Sequence, residues 1–164
     1  MTEKMGFETN RRIVRVMRNQ PITATVGGQT CRFRSKFECN WARYLQWLTD
    51  RGVIQGWQYE VDLFLFPGEI TAPVQYRPDF KVTEAGGVIC YEECKGYHDG
   101  ATNKKFQRMA KHHPDVEMEL VLMRIPKRKP GKGINRRKAA ERYVRRIIDA
   151  SEIFRQTRGA VKYI

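Results

Sequence analysis

The sequence predicts a single α/β domain, a mixed central β-sheet flanked by helices and followed by a basic C-terminal helix. Three observations lead there. Segments of helical period alternate with short runs rich in β-branched and aromatic residues, in the order helix, three strands, helix, strand, helix. The 164 residues suit one domain with a terminal extension. Hydrophobic residues make up 41% of the chain, enough for a packed core and too many for a disordered polymer.

Taken in order, residues 1–20 are basic and weakly patterned, with a helix possible over 9–18 where Ile13, Val14 and Met17 share a side. Pro21 and Gly27-Gly28 punctuate the chain, and residues 22–26 between them have the composition of a short strand. Ser35 followed by Glu38 forms a capping box, and Phe37, Trp41, Tyr44, Leu45 and Leu48 recur at helical spacing up to the stop signal Arg51-Gly52. Strand-like runs follow over 53–65, 75–82 and 88–95. Pro67-Gly68 interrupts the first, and Ala85-Gly86-Gly87 makes a turn that lets the second and third pair as a hairpin. Residues 102–112 read as a second helix ending near Pro114, and 118–125 as a strand. The intervening helix allows that strand to lie parallel to the run at 88–95. A basic linker over 126–133 leads to a long last helix capped by Asn135, with Tyr143, Val144, Ile147, Ile148 and Phe154 on its apolar side. The expected divisions are therefore a basic N-terminal extension at 1–30, a folded core at 31–126, and a basic linker and helix at 127–164.

Composition narrows the function classes. No apolar run approaches the length of a membrane span, so no membrane partner is expected. The first residues, MTEKMGFETNRR, carry no apolar stretch of the secretory kind, and the expected location is the cytoplasm. Cys31, Cys39, Cys90 and Cys94 form no CxxC pair and read as reduced thiols rather than zinc ligands. The formal net charge is +13, and it is unevenly placed. From residue 124 to the end there are 14 Lys/Arg against 3 Asp/Glu, whereas residues 1–123 hold 17 against 15. A nearly neutral body with a basic end points to a polyanion, and nucleic acid is the leading class over an anionic membrane surface.

The chemistry concentrates between Arg77 and Gly96. Pro78-Asp79 falls in one strand run and Glu93-Cys94-Lys95 near the end of the next. Side chains alternate along a strand, so Glu93 and Lys95 point to one face and Cys94 to the other, and pairing of the two strands sets Asp79 beside Glu93. The adjacent Glu92 is assigned to the opposite face by the same alternation. Two close carboxylates resist ionising together, and a hard divalent cation relieves the conflict. Magnesium, with manganese able to substitute, would activate a water and stabilise charge on a phosphate, while the lysine orients the water or stabilises the transition state. Hydrolysis of a phosphodiester needs these parts.

Here the residues resemble the PD-(D/E)XK nuclease superfamily, through Pro78-Asp79 and Glu93-Cys94-Lys95. Within it the chain is most similar to the phage endonuclease I family of Holliday-junction resolvases. The likeness runs from about residue 33 to 121 and includes FRSKFE at 33–38, Tyr59-Glu60, YRPDF at 76–80, EECKG at 92–96, Lys104-Lys105 and HPDVEMELV at 113–121. The resemblance implies a restriction-endonuclease-like core. It makes Asp79 and Glu93 the main metal ligands, Lys95 the catalytic lysine, and Glu38 an additional carboxylate that helps hold or hydrate a metal. Capping is the competing role for Glu38, because Ser35 and Glu38 also make the capping box. The implied activity is a magnesium-dependent endodeoxyribonuclease acting on branched DNA, as a homodimer, in a host cytoplasm if phage-encoded. Alternatives are a nicking or single-strand endonuclease, the cutting subunit of a transposition or restriction system, or a DNA-binding protein with an inert centre. For DNA contact the sequence offers Lys104, Lys105, Arg108 and Lys111 on the second helix and Arg136, Arg137, Arg145 and Arg146 in the last. His98, His112 and His113 read as surface or helix-end residues, and Trp41, Trp47 and Trp57 as packing residues.

Overall fold

The structure, a computed structural model, describes residues 20–125 and 137–164. The expected helix over 9–18, the linker over 126–133, the Asn135 cap and Arg136 lie outside the described residues. Strands β1 (Ile22–Val26) and β2 (Gln29–Phe33) form a hairpin closed by Gly27-Gly28. Both glycines have positive φ, +58° and +78°, as a two-residue hairpin turn of this hand requires. Helix α1 (Lys36–Asp50) starts where Ser35 caps the Glu38 N–H. It stops in a Schellman motif: Val53 N–H reaches Leu48 O (3.0 Å), Gly52 N–H reaches Thr49 O (2.9 Å), and Gly52 takes the left-handed φ of +67°.

The run at 53–65 divides into β3 (Ile54–Tyr59) and the two-residue β4 (Phe64–Leu65), which pairs with β5 (Gln75–Tyr76) in a separate ribbon. Glu60, at the end of β3, has φ +49° and turns the chain out of the sheet. The run at 75–82 is likewise broken: β5 ends at Tyr76, and β6 (Phe80–Glu84) begins after Pro78-Asp79. Strand β7 (Ile89–Lys95) returns from the glycine turn, helix α2 (Gly100–His112) crosses over, and β8 (Glu117–Leu122) lies parallel to β7, as expected from the intervening helix.

The long C-terminal helix does not form. Residues 137–140 are helical, the chain turns over 141–145, and Arg146–Asp149 is a strand, β9, parallel to β8 at the sheet's edge. Asp149 then caps a short helix α3 (Ala150–Thr157) by accepting from the Ser151 and Glu152 amides. The physical reason lies in the partner: without β9, the buried strand β8 would leave a row of unpaired backbone groups, and Ile147-Ile148 supply β-branched side chains to both faces of the sheet. The five-stranded mixed sheet therefore runs β3-β6-β7-β8-β9. Helices α1 and α3 cover one face, over Trp57, Phe80, Val82, Cys94, Val121 and Ile148. Helix α2 covers the other, over Tyr91, Met118, Leu120 and Leu122. The C-terminal segment is part of this core rather than a removable basic tail, since Val144, Ile147, Ala150 and Phe154 pack into it. The four cysteines are unpaired. No helix among the described residues is long and apolar enough to cross a membrane.

The α1 face holds a buried charge cluster. Glu92 and Glu119 are register partners on β7 and β8, at 4% and 1% exposure. Trp41 Nε1 donates to Glu92 (2.5 Å), and Glu119 Oε1 accepts from Arg145 Nε and Arg146 Nε at 2.8 Å each. Arg145 also pairs with Glu117 (2.8 Å) and with Glu84. Removing Arg145 leaves Glu119 buried with one partner fewer, so Arg145→Met is expected to cost about 3 kcal/mol in urea denaturation. Arg137→Ala removes only a long contact to Glu141 (3.9 Å) and should change stability by less than about 1 kcal/mol. Burial, aided by the Glu119 charge, pushes the Glu92 carboxyl up to about 7. The folded state thus holds this proton more tightly than the unfolded chain, and stability falls as pH rises from about 4.5 to about 7. Glu92→Gln removes that loss, so its melting temperature should exceed the parent's by several degrees at pH 8, with the gain shrinking toward pH 4.5.

Candidate active site

The site lies where β6 begins and β7 ends. Phe80 pairs with Glu92, so the preceding residue, Asp79, faces Glu93 across the strand pair. Pro78 precedes the first β6 residue, a position where a missing amide donor breaks no ladder bond. Backbone bonds fix Asp79 from both sides: its carbonyl accepts from the Glu60 N–H (2.9 Å), and its Oδ2 accepts from the Cys94 N–H (2.7 Å). Glu93 and Lys95 share a face, as alternation requires, and Lys95 Nζ lies 2.8 Å from Glu93 Oε1. Glu92 points into the α1 face, which settles the register between the two adjacent glutamates in favour of Glu93.

Both carboxylates are almost wholly buried, Asp79 and Glu93 at 1% exposure each. Charge of that kind is held only by compensation, and each oxygen has a partner. Glu93 Oε1 takes Lys95 and also Lys105 Nζ (3.2 Å), while Oε2 accepts from the Tyr76 hydroxyl (2.7 Å). Asp79 Oδ1 takes the Arg34 guanidinium, which also reaches Glu60 Oε1 at 2.8 Å. The two carboxyls titrate apart. Burial and the neighbouring Glu93 charge push Asp79 up to about 8. Burial works in the same direction on Glu93, but the Lys95 and Lys105 ammoniums outweigh it and hold Glu93 below the usual range. Burial works against the Lys95 charge, yet Glu93 raises its pKa above the ordinary lysine value, so Lys95 is an ammonium.

Glu38 stands on the first turn of α1 at the margin of the site. Its Oε1 accepts from Ser35 Oγ (3.0 Å), and its Oε2 accepts from the Tyr59 hydroxyl (2.5 Å) and the Arg34 N–H (2.9 Å). The cap is thus formed, with Ser35 Oγ accepting from the Glu38 N–H (3.2 Å). Among the described residues no group of three or more His, Cys, Asp or Glu side chains is placed to hold a cation. The pair Asp79 and Glu93 nonetheless fits magnesium, which commonly takes one or two carboxylates and completes its shell with water and phosphate.

The structure brings Asp79, Glu93 and Lys95 together and assigns new partners to the cations expected on DNA. Lys105 reaches Glu93 Oε1 at 3.2 Å. Arg108 is 5% exposed, bonded to Thr71 O (2.5 Å) and Glu69 (3.2 Å), and Lys111 meets Glu69 at 2.7 Å. Lys104 is exposed and reaches Thr71 Oγ1 at 3.4 Å. Arg145 and Arg146 hold Glu119, and Arg137 faces Glu141. Helix α2 thus anchors the 66–74 loop through Arg108 and Lys111. His98 bonds Asn103 (2.8 Å), and His112 bonds Glu69 (2.9 Å). The sequence reading missed Arg34, Tyr59, Glu60 and Tyr76 as site residues. Arg34 and Tyr76 lie inside the short blocks around Glu38 and Asp79, Tyr59-Glu60 is a block of its own, and membership of these blocks was the available signal. No family model, curated protein or solved structure matches this chain.

Proposed function

We propose that the chain is a magnesium-dependent endodeoxyribonuclease of the PD-(D/E)XK type, acting on branched DNA. The observation that carries this reading is the convergence of Asp79, just before β6, with Glu93 and Lys95 of β7 at one end of the sheet. Two buried carboxylates beside an ammonium are costly to fold, and they suit one chemistry well: holding a hard cation against a phosphate diester. When bound, magnesium supplies Lewis acidity and a water of lowered pKa.

The chain's own residues supply the rest. Asp79 and Glu93 would hold the cation, with the carboxylate oxygens that now face Arg34, Lys95 and Lys105. The Cys94 amide keeps Asp79 in one rotamer, and the Tyr76 hydroxyl does the same for Glu93. Lys95 is charged, so it acts as a donor that orients the attacking water or stabilises negative charge on the phosphoryl oxygens, rather than as the base. Selectivity for branched DNA rests on the resemblance of the motif blocks. Each chain carries one such centre, so symmetric cutting of two strands calls for a homodimer. In the basic C-terminal quarter Arg137, Arg145, Arg146 and Arg155 pair with carboxylates, and phosphate contact is assigned first to the exposed cations beside the site, Arg77 and Lys104.

Asp79→Ala and Lys95→Ala are expected to lower magnesium-dependent cleavage by at least about a thousandfold, on the scale of losing a principal electrostatic group, while DNA affinity in calcium stays within about fivefold. Gel assays on a four-way junction, a flap and a plain duplex, with magnesium or with EDTA, read both the activity and its preference. Retention of full activity in either variant, or cleavage that persists in EDTA, would overturn the proposed site.

A further inference from the structure

The site contains more cation than its chemistry needs. Glu93 Oε1 accepts two ammoniums, Lys95 at 2.8 Å and Lys105 at 3.2 Å, and Asp79 Oδ1 accepts the Arg34 guanidinium. These are the oxygens that a divalent cation would take. The three side chains differ in how they are held. Lys95 belongs to the same strand as Glu93, two residues on, and stays beside it whatever else binds. Lys105 comes from α2, across the site, with its side chain 28% exposed. Arg34 comes from the connection between β2 and α1, with its side chain 53% exposed. Both have long flexible stems, and both open toward solvent at the end of the sheet. Each also has a second partner. Lys105 Nζ lies 5.0 Å from the centre of the Tyr76 ring, a cation–π contact that survives loss of Glu93. Arg34 is tied to Glu60 at 2.8 Å.

We infer that Arg34 and Lys105 are exchangeable counter-ions. In the protein without a divalent cation they neutralise Asp79 and Glu93. When a divalent cation occupies those carboxylates, they are repelled from it and turn to the phosphate oxygens of the bound DNA, flanking the bond to be cut. The inference rests on the nuclease reading and deepens it, by naming two phosphate-binding residues and the event that frees them. The physical argument is charge balance. A buried carboxylate oxygen cannot serve a guanidinium or two ammoniums and a divalent ion at once, because like charges at contact distance repel in a poorly solvated site. Arginine suits the task further, because its planar fork matches phosphate oxygens as well as carboxylate oxygens.

The test separates this role from a structural one. Calcium and manganese binding to the full chain without DNA is measured by calorimetry for the parent, Lys105→Gln and Lys105→Arg. Lys105→Gln removes a competitor for Glu93, so it should bind either ion about three- to tenfold more tightly, and Lys105→Arg should match the parent. Binding of a four-way junction and a duplex is then measured by fluorescence anisotropy, in EDTA and in calcium, for the parent, Lys105→Gln and Arg34→Gln. Each Gln variant should match the parent in EDTA, where its side chain is occupied within the protein, and bind about tenfold more weakly in calcium. The salt slope in calcium should fall by about one phosphate contact. Unchanged or weaker ion affinity in Lys105→Gln, or a DNA-binding loss equal in EDTA and calcium, would overturn the inference. If the parent binds neither ion and cuts no DNA, the nuclease reading itself falls; if the parent does both and the variants fail these expectations, only the counter-ion role falls.

Discussion

Asp79 and Glu93 sit side by side across β6 and β7, buried at the end of the sheet, and much of the surrounding architecture follows from that juxtaposition. Two carboxylates in such a place repel each other and lose their hydration, and neither cost is met by hydrophobic packing. Compensation arrives from several elements at once. The β2–α1 connection contributes Arg34, β5 contributes Tyr76, β7 contributes Lys95 and the Cys94 amide, and α2 contributes Lys105. Two ammoniums lie on the Glu93 side and hold its carboxyl below the usual range, whereas burial and the Glu93 charge push the Asp79 carboxyl up. Several connections are bent to serve this arrangement. Glu60 adopts a left-handed φ of +49°, uncommon for a residue with a side chain, and from there its amide holds the Asp79 carbonyl while its carboxylate steadies Arg34.

Strand β7 carries two charge systems on its two faces, and they are handled differently. Glu93 faces a site open to solvent, where its partners are long side chains that can move. Glu92 faces the α1 core, where its partner is the Trp41 indole and its neighbour Glu119 is held by Arg145 and Arg146. The second system ties β9 to β8 and β7, and through β9 it secures the C-terminal segment that ends in α3. A slip of one residue in β7 would exchange the two glutamates and disrupt both systems. The register is therefore specified twice over, by hydrophobic alternation and by the distinct partners awaiting each carboxylate.

Local signals made much of this legible. The Ser35 cap, the glycine stop after Asp50 and the regular apolar spacing between them define α1 in sequence and in structure. The glycine turn at 85–87 sets the β6–β7 pairing, and the alternation along β7 puts Glu93 and Lys95 on one face, so that Asp79, Glu93 and Lys95 meet as local signals require. What escaped was long-range. Tyr143, Val144, Ile147 and Ile148 satisfy a helical period, but the open edge of β8 takes Ile147 and Ile148 as a strand, and local periodicity carries no information about that edge. The pairing of Arg108 and Lys111 with Glu69 is invisible in the sequence, because Glu69 is about 40 positions away in the chain. Arg34 and Tyr76 were passed over for the same reason: a short motif names the groups that do chemistry, and the groups that neutralise them come from wherever the fold brings a chain past.

Glu38 joins these two levels. It is a capping residue by local geometry, yet its carboxylate does more than close a helix. One oxygen accepts from the Tyr59 hydroxyl and from the Arg34 amide, so the helix start, the end of β3 and the root of the Arg34 side chain are fastened at a single point. The guanidinium that reaches Asp79 therefore swings from a fixed base. In this arrangement capping and service to the site are not competing roles. The cap holds α1 in the position from which Arg34 can span Asp79 and Glu60, and a carboxylate is the side chain that can accept both the hydroxyl and the amide there. Shortening it to alanine would take the nearer of two acceptors from the Arg34 amide and leave the Tyr59 hydroxyl without its acceptor, so a change at the margin would be felt at the centre through the footing of one cation.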